Sequence, residues 1–188
     1  MRRAISIVII SIMLSAAWVC VASAQETPPI PINEVTSWDY QIQGLEYPGS
    51  VDRLAAAGFD MVVVEPMVTM DEYADFDARG MVRRLQSTPA TFSGYRPLVL
   101  AYVDIGQAEE WRDYWGDDWV SPTRFRGGEP DFMVGLDPDG WAGNYPVAFW
   151  DARWKDIMIY GEGSVLETIV SLGFDGIYMD WREAYDDD

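Results

Sequence analysis

The chain has 188 residues, 31 acidic against 13 basic side chains, a formal net charge of −18, no histidine and one cysteine, Cys20. So acidic a surface disfavours nucleic acid and anionic membranes, both of which are polyanions. The lack of histidine and of a second thiol excludes histidine triads, histidine metal sites and an internal disulfide framework, and leaves acid–base work mainly to Asp and Glu.

Residues 1–24 read as a secretory signal. Arg2 and Arg3 precede an apolar run from Ala4 to Leu14, and Ala22-Ser23-Ala24 is a small-residue cleavage site. The run is interrupted by serines and is short of the ~20 apolar residues that a membrane span needs, so cleavage and export are expected, with the product secreted or periplasmic and off the membrane. Cleavage removes Cys20 and two arginines, so the remaining chain is thiol-free and still more acidic. Such a surface suits a cationic or neutral partner, although an acidic exported surface without ligand meaning fits it equally.

Residues 25–34 are polar and Pro-rich and read as a linker. From Val35, strand-like and helix-like segments alternate. Val35–Gln43 alternates as a strand. Ser50–Ala57 reads as a helix stopped by Gly58, and Met61–Val64 as a buried strand. Asp77–Gln86 is a helix, Pro97–Val103 a third strand, and Ala108–Trp115 a short helix. A long aperiodic stretch, Gly116–Tyr145, reads as a loop. Val147–Trp150 is a fourth strand and Arg153–Tyr160 a helix. Ser164 and Glu167 form a capping box for a helix through Leu172, ended by Gly173, and Ile177–Met179 is a fifth strand. Strands alternating with helices predict parallel βα units. Gly58-Phe59-Asp60 leading to Glu65 is echoed by Gly173-Phe174-Asp175 leading to Asp180. The echo suits a repeated βα barrel, and an open doubly wound sheet as well.

In βα barrels the site lies at the carboxyl ends of the strands. Glu65, Asp104 and Asp180 fall at such ends. Two carboxyl groups flanking a glycosidic bond hydrolyse it, at ~5 Å apart for retention or ~6.5–9.5 Å for inversion. Asp180, at the end of an apolar strand, is the catalytic candidate. Glu65 and Asp104 are expected to line the substrate site, and Tyr40 and Trp150, placed on strands, to stack on sugar rings. Asp60 and Asp175 precede their strands and read as turn or cap residues. Glu109, Glu110 and Arg112 read as ion-pairing residues. No cofactor and no metal are expected.

Several ordered blocks carry a resemblance. Trp38–Gln43 is similar to the opening strand of a known family. Ala101–Glu109 running into Trp111–Trp115, then Val147–Trp154, then Gly173–Asp180 resemble its later blocks. The family is glycoside hydrolase family 114, whose named activity is endo-α-1,4-polygalactosaminidase. The resemblance implies a (β/α)8 TIM barrel acting on galactosamine-containing polysaccharide, a cationic amino-sugar polymer. It implies Asp180 as one of two catalytic carboxylates, with the second a Glu on a later strand that no residue here matches. Gln107 stands where the family usually has Glu, and Asp104 where it often has Ser. A full barrel needs eight strands, and about five βα units are visible. The domain over 35–188 is therefore expected to be an incomplete TIM barrel, inactive and poorly stable alone because an edge would be unpaired. The alternative is a non-catalytic exported carbohydrate-binding barrel.

Overall fold

The computed structural model describes residues 27–67, 75–91 and 94–182. The signal segment and the terminal Asp186–Asp188 run lie outside them. In chain order the elements are β1 (Trp38–Gln41), α1 (Ser50–Ala57), β2 (Met61–Val64), α2 (Ala78–Gln86), β3 (Leu98–Asp104), β4 (Gln107–Glu109), β5 (Asn144–Pro146), α3 (Ala152–Lys155) continuing into a π-helical turn (Asp156–Tyr160), α4 (Val165–Leu172) and β6 (Gly176–Asp180). One four-stranded sheet has the order β1-β2-β3-β6 with every pair parallel, and β4 and β5 form a separate antiparallel pair.

Helix ends follow local rules. Gly58 and Gly173 stop α1 and α4 at φ 73° and 92°, a left-handed conformation that strains any residue with a Cβ. The Ser164 hydroxyl accepts from Glu167 N at 3.3 Å, while the Glu167 carboxylate reaches back to Gly163 N at 2.7 Å. The capping residues are those expected, but the return bond is made one residue earlier than in the standard box.

Strand alternation sorts the two sheet faces. Val62, Val64 and Val99 pack with Leu54 of α1 and Met81, Val82 and Leu85 of α2. Ala101 and Val103 pack with Trp154, Met158 and Ile169. The opposite face carries Val63, Leu100, Tyr102 and Asp104, and the rings of Tyr40, Tyr102 and Tyr178 meet there edge-on. Trp38 is 52 % exposed and Met179 48 %, on strands that pair on one side only among the described residues.

The echoed Phe-Asp turns tie neighbouring strands at their amino ends. Asp60 is fully buried. Its Oδ2 accepts from the backbone and hydroxyl of both Thr36 and Ser37, and its Oδ1 from Thr91 N. Burial pushes the Asp60 carboxyl up, but these hydrogen bonds outweigh it and hold the group well below the usual carboxylate range. Asp175 takes a two-pronged bond from Arg96 at 2.6 and 2.7 Å and accepts from Val99 N at 3.0 Å. Both residues are more than turn formers: each holds together segments distant in sequence.

Several elements differ from the sequence reading. The first strand is confined to Trp38–Gln41. Within the segment read as a linker, Ile30 is buried, and Ile30 N and Arg96 N bond Arg96 O and Pro28 O. Ala108–Trp115 is not a helix. Its start pairs with β5, and the remainder turns around the Glu109–Arg112 ion pair. Val147–Trp150 is not a sheet strand. Val147 makes one antiparallel bridge to Met133 and buries its side chain beneath the long excursion, and the chain then turns at Phe149–Trp150. The described sheet thus contains four of the five expected strands. An α/β fold with a parallel sheet is present.

Candidate active site

The carboxyl ends of β2, β3 and β6 bring the acids together. Parallel register places Asp104 directly beside Asp180, and Ile105 N bonds Asp180 O at 3.2 Å. Asp104 is 4 % exposed, and its Oδ1 accepts from Gly106 N at 3.1 Å and Gln107 N at 3.0 Å. Burial first, then the charges of Glu109 and Asp180, push its carboxyl up to about 7 despite those two bonds. A group that sheds its proton near neutrality on a sheet's carboxyl edge is a common property of reaction sites.

Asp180 is half-buried and held at both oxygens. The Tyr102 hydroxyl donates to Oδ2 at 2.7 Å, and Trp181 N donates to Oδ1 at 3.0 Å. Trp181 has φ 53°, the one non-glycine residue with positive φ among the described residues. That conformation is unfavourable for a bulky side chain and turns its N–H back onto the preceding carboxylate. The Tyr40 hydroxyl is pushed up to about 12 by partial burial first and then by the neighbouring carboxylates Asp180 and Glu65, and so stays protonated beside the acids.

Glu65 sits at the same edge, bound by Arg112 at 2.6 and 3.1 Å, while Arg112 Nε bonds Glu109 Oε2 at 2.6 Å. All three side chains are at most 14 % exposed. Burial raises the Glu65 carboxyl, with Arg112 opposing. Its charge is therefore spent on fixing the β4–β5 excursion to the end of β2. A crevice of about 10 Å³, lined by Tyr102, Asp104, Glu109, Arg112 and Tyr114, has room for about one water. A wider apolar groove of about 300 Å³ opens on the helix side, between Val103, Trp154, Ile177 and Met179, and touches neither Asp104 nor Asp180.

Trp150 is not on the strand that the sequence reading expected. It lies on a turn, 65 % exposed, with its ring edge-on to Phe149 at 5.0 Å. Gln107 is buried. Its amide donates to Asp137 Oδ2 at 2.5 Å and its carbonyl accepts from Asn144 Nδ2 at 3.0 Å. A Glu at that position would set its carboxylate against that of Asp137, so this chain's Gln matches its own Asp137. No group of three or more His, Cys, Asp or Glu arranged to hold a metal ion occurs among the described residues, and no helix there is long and apolar enough to cross a membrane.

Sequence reading missed Tyr102 and understated Arg112. Tyr102 had one available signal: it lies two residues before Asp104 on the same strand and so shares its face.

A family model for glycoside-hydrolase family GH114 matches residues 21–188. The chain belongs to this family. It is 30 % identical over 173 residues to an uncharacterized protein of Deinococcus radiodurans, covering 86 % of this chain and 49 % of that one. It is 29 % identical over 150 residues to an uncharacterized protein of Thermotoga maritima, covering 80 % and 39 %. It is 30 % identical over 159 residues to one of Methanocaldococcus jannaschii, again covering 80 % and 39 %. The chain spans less than half the length of each of these relatives.

Proposed function

We propose that the protein is an exported glycoside hydrolase of TIM-barrel type that cleaves α-1,4-linked galactosamine-containing polysaccharide, with Asp180 as one of its two reacting carboxylates. The observation that carries this reading is the placement of Asp180: a carboxylate with both oxygens held, at the carboxyl edge of a parallel sheet, in a member of a glycoside-hydrolase family. Ionised, it is suited to attack or stabilise the oxocarbenium-like carbon. Asp104 lines the substrate site beside it, with its Oδ1 held by two backbone N–H groups. The second reacting carboxylate is assigned, on the family resemblance, to a Glu on a later strand. A polycationic amino-sugar chain complements the net charge of −18. Tyr40, at the exposed end of the tyrosine cluster, offers a ring edge and hydroxyl beside Asp180.

The test is release of reducing ends from galactosamine polymer by the full chain and by Asp180→Asn. The variant is expected to lose roughly 1,000-fold in kcat while remaining folded. Turnover at the wild-type rate removes Asp180 from the reaction. Export is checked by the mature amino terminus, expected at Gln25.

A further inference from the structure

We propose that Tyr102 is a positioning residue for the reaction: its hydroxyl, working with the Trp181 N–H, locks the Asp180 carboxylate in the orientation that presents its free lone pairs to the sugar. This inference rests on the reading of Asp180 as a reacting carboxylate. Tyr102 is 7 % exposed on β3, and its register partner on β6 is Tyr178, two residues before Asp180. Side chains two apart on a strand share a face, so the phenol reaches diagonally along the sheet and bonds Oδ2 at 2.7 Å. The Tyr40 ring stands against it at 5.9 Å and 87°, and Tyr40 also meets Tyr178 at 5.6 Å, so Tyr102 is braced against a second aromatic contact. On the other oxygen, the left-handed backbone of Trp181 supplies the second donor. Strain in one residue and burial of another converge on a single carboxylate, a pattern found where orientation matters to function.

Among the described residues, Tyr102 and Asp104 from β3 and Tyr40 from β1 interact electrostatically with Asp180. Of these, Tyr102 donates directly to the carboxylate. Burial, followed by the bond to Asp180, raises its hydroxyl well above the ordinary phenol range, so it remains a donor throughout the range in which proteins stay folded. Two donors fixed in advance spare the reaction the reorganisation that water would have to undergo.

Two measurements on the full chain test this. In protein labelled with 13C at tyrosine Cζ, the Tyr102 resonance, assigned by its loss in Tyr102→Phe, is expected to shift in Asp180→Ala as the acceptor disappears. An unmoved resonance overturns the contact, and this arm needs no turnover. In the kinetic arm, Tyr102→Phe is expected to lower kcat by about 10- to 100-fold, as loss of one hydrogen bond to a charged group does, with KM within about twofold of wild type. An unchanged kcat in a folded Tyr102→Phe, alongside an inactive Asp180→Ala, overturns the role of Tyr102 and leaves that of Asp180 standing. Full activity in Asp180→Ala overturns the underlying assignment instead. If Tyr102→Phe does not fold, the resonance arm decides, with assignment by elimination of the remaining tyrosines.

Discussion

Replacing Arg112 with Met removes the one cation among three buried charged side chains. Arg112 is bonded to Glu65 through two nitrogens at 2.6 and 3.1 Å and to Glu109 through Nε at 2.6 Å. The side chains of Arg112, Glu65 and Glu109 are 6 %, 14 % and 7 % exposed, so water cannot take over the lost contacts. Breaking a buried pair from one side leaves uncompensated charge and costs about 3–5 kcal/mol. The penalty depends on pH. Burial already raises the folded-state Glu65 carboxyl above its unfolded value, and losing Arg112 raises it further. A raised group contributes stability fully below the unfolded value and loses it as pH climbs through the folded one. Arg112→Met should therefore be close to wild type near pH 4 and increasingly unstable toward pH 8. Urea unfolding followed by tryptophan fluorescence at several pH values measures this, and adding Glu65→Gln should restore part of the loss near pH 8. A penalty below about 1 kcal/mol, or one independent of pH, refutes the view that Arg112 neutralises Glu65 in the folded protein.

Asp60→Asn should destabilise by about 2–4 kcal/mol near neutrality, since it removes the charge that accepts five hydrogen bonds. Because the wild-type carboxyl is depressed, its contribution is present above the unfolded value of about 3.9 and is lost as pH falls through the folded one; thermal melts from pH 6 to 2 should show a shallower acid slope in the variant. Asp104→Asn tests the opposite sign. The wild-type group, raised to about 7, favours the folded state fully below the unfolded value and loses that contribution as pH rises through 7; the variant's stability relative to wild type should therefore rise by on the order of 3 kcal/mol between pH 5 and pH 9, and an unchanged difference in unfolding free energy from urea titrations at the two pH values would count against the assigned shift. Gly173→Ala meets no atom within 4 Å but must hold φ +92°, so a loss of about 1 kcal/mol is expected in chemical denaturation, and a gain in stability would contradict it.

The chemistry of the site was partly legible before folding. Asp104 and Asp180 were visible as acids terminating apolar strands, and parallel pairing then set them side by side. Glu65 was visible for the same reason, but its partner Arg112 lies 47 positions away on a segment that reads as a helix and is not one. The strand expected over Val147–Trp150 failed for a related reason. Val147 is apolar because it is buried beneath the excursion, and an apolar run of that length does not say which surface buries it.

What the amino acids determine alone is local: where helices stop, through the left-handed glycines Gly58 and Gly173, where strands run, through Met61–Val64 and Leu98–Asp104, and which strands end in acids. These depend on backbone sterics and on periodicity over a few residues. What only the folded chain decides is how each charge is partnered. Tyr102 meets Asp180 across 78 positions, Arg96 meets Asp175 across 79, and Asp60 turns from a presumed cap into a buried anchor for Thr36, Ser37 and Thr91. A carboxylate in sequence has no protonation state or orientation of its own. Both come from burial and from donors that parallel pairing brings to it, which is why the identity of the acids could be read early and their roles could not.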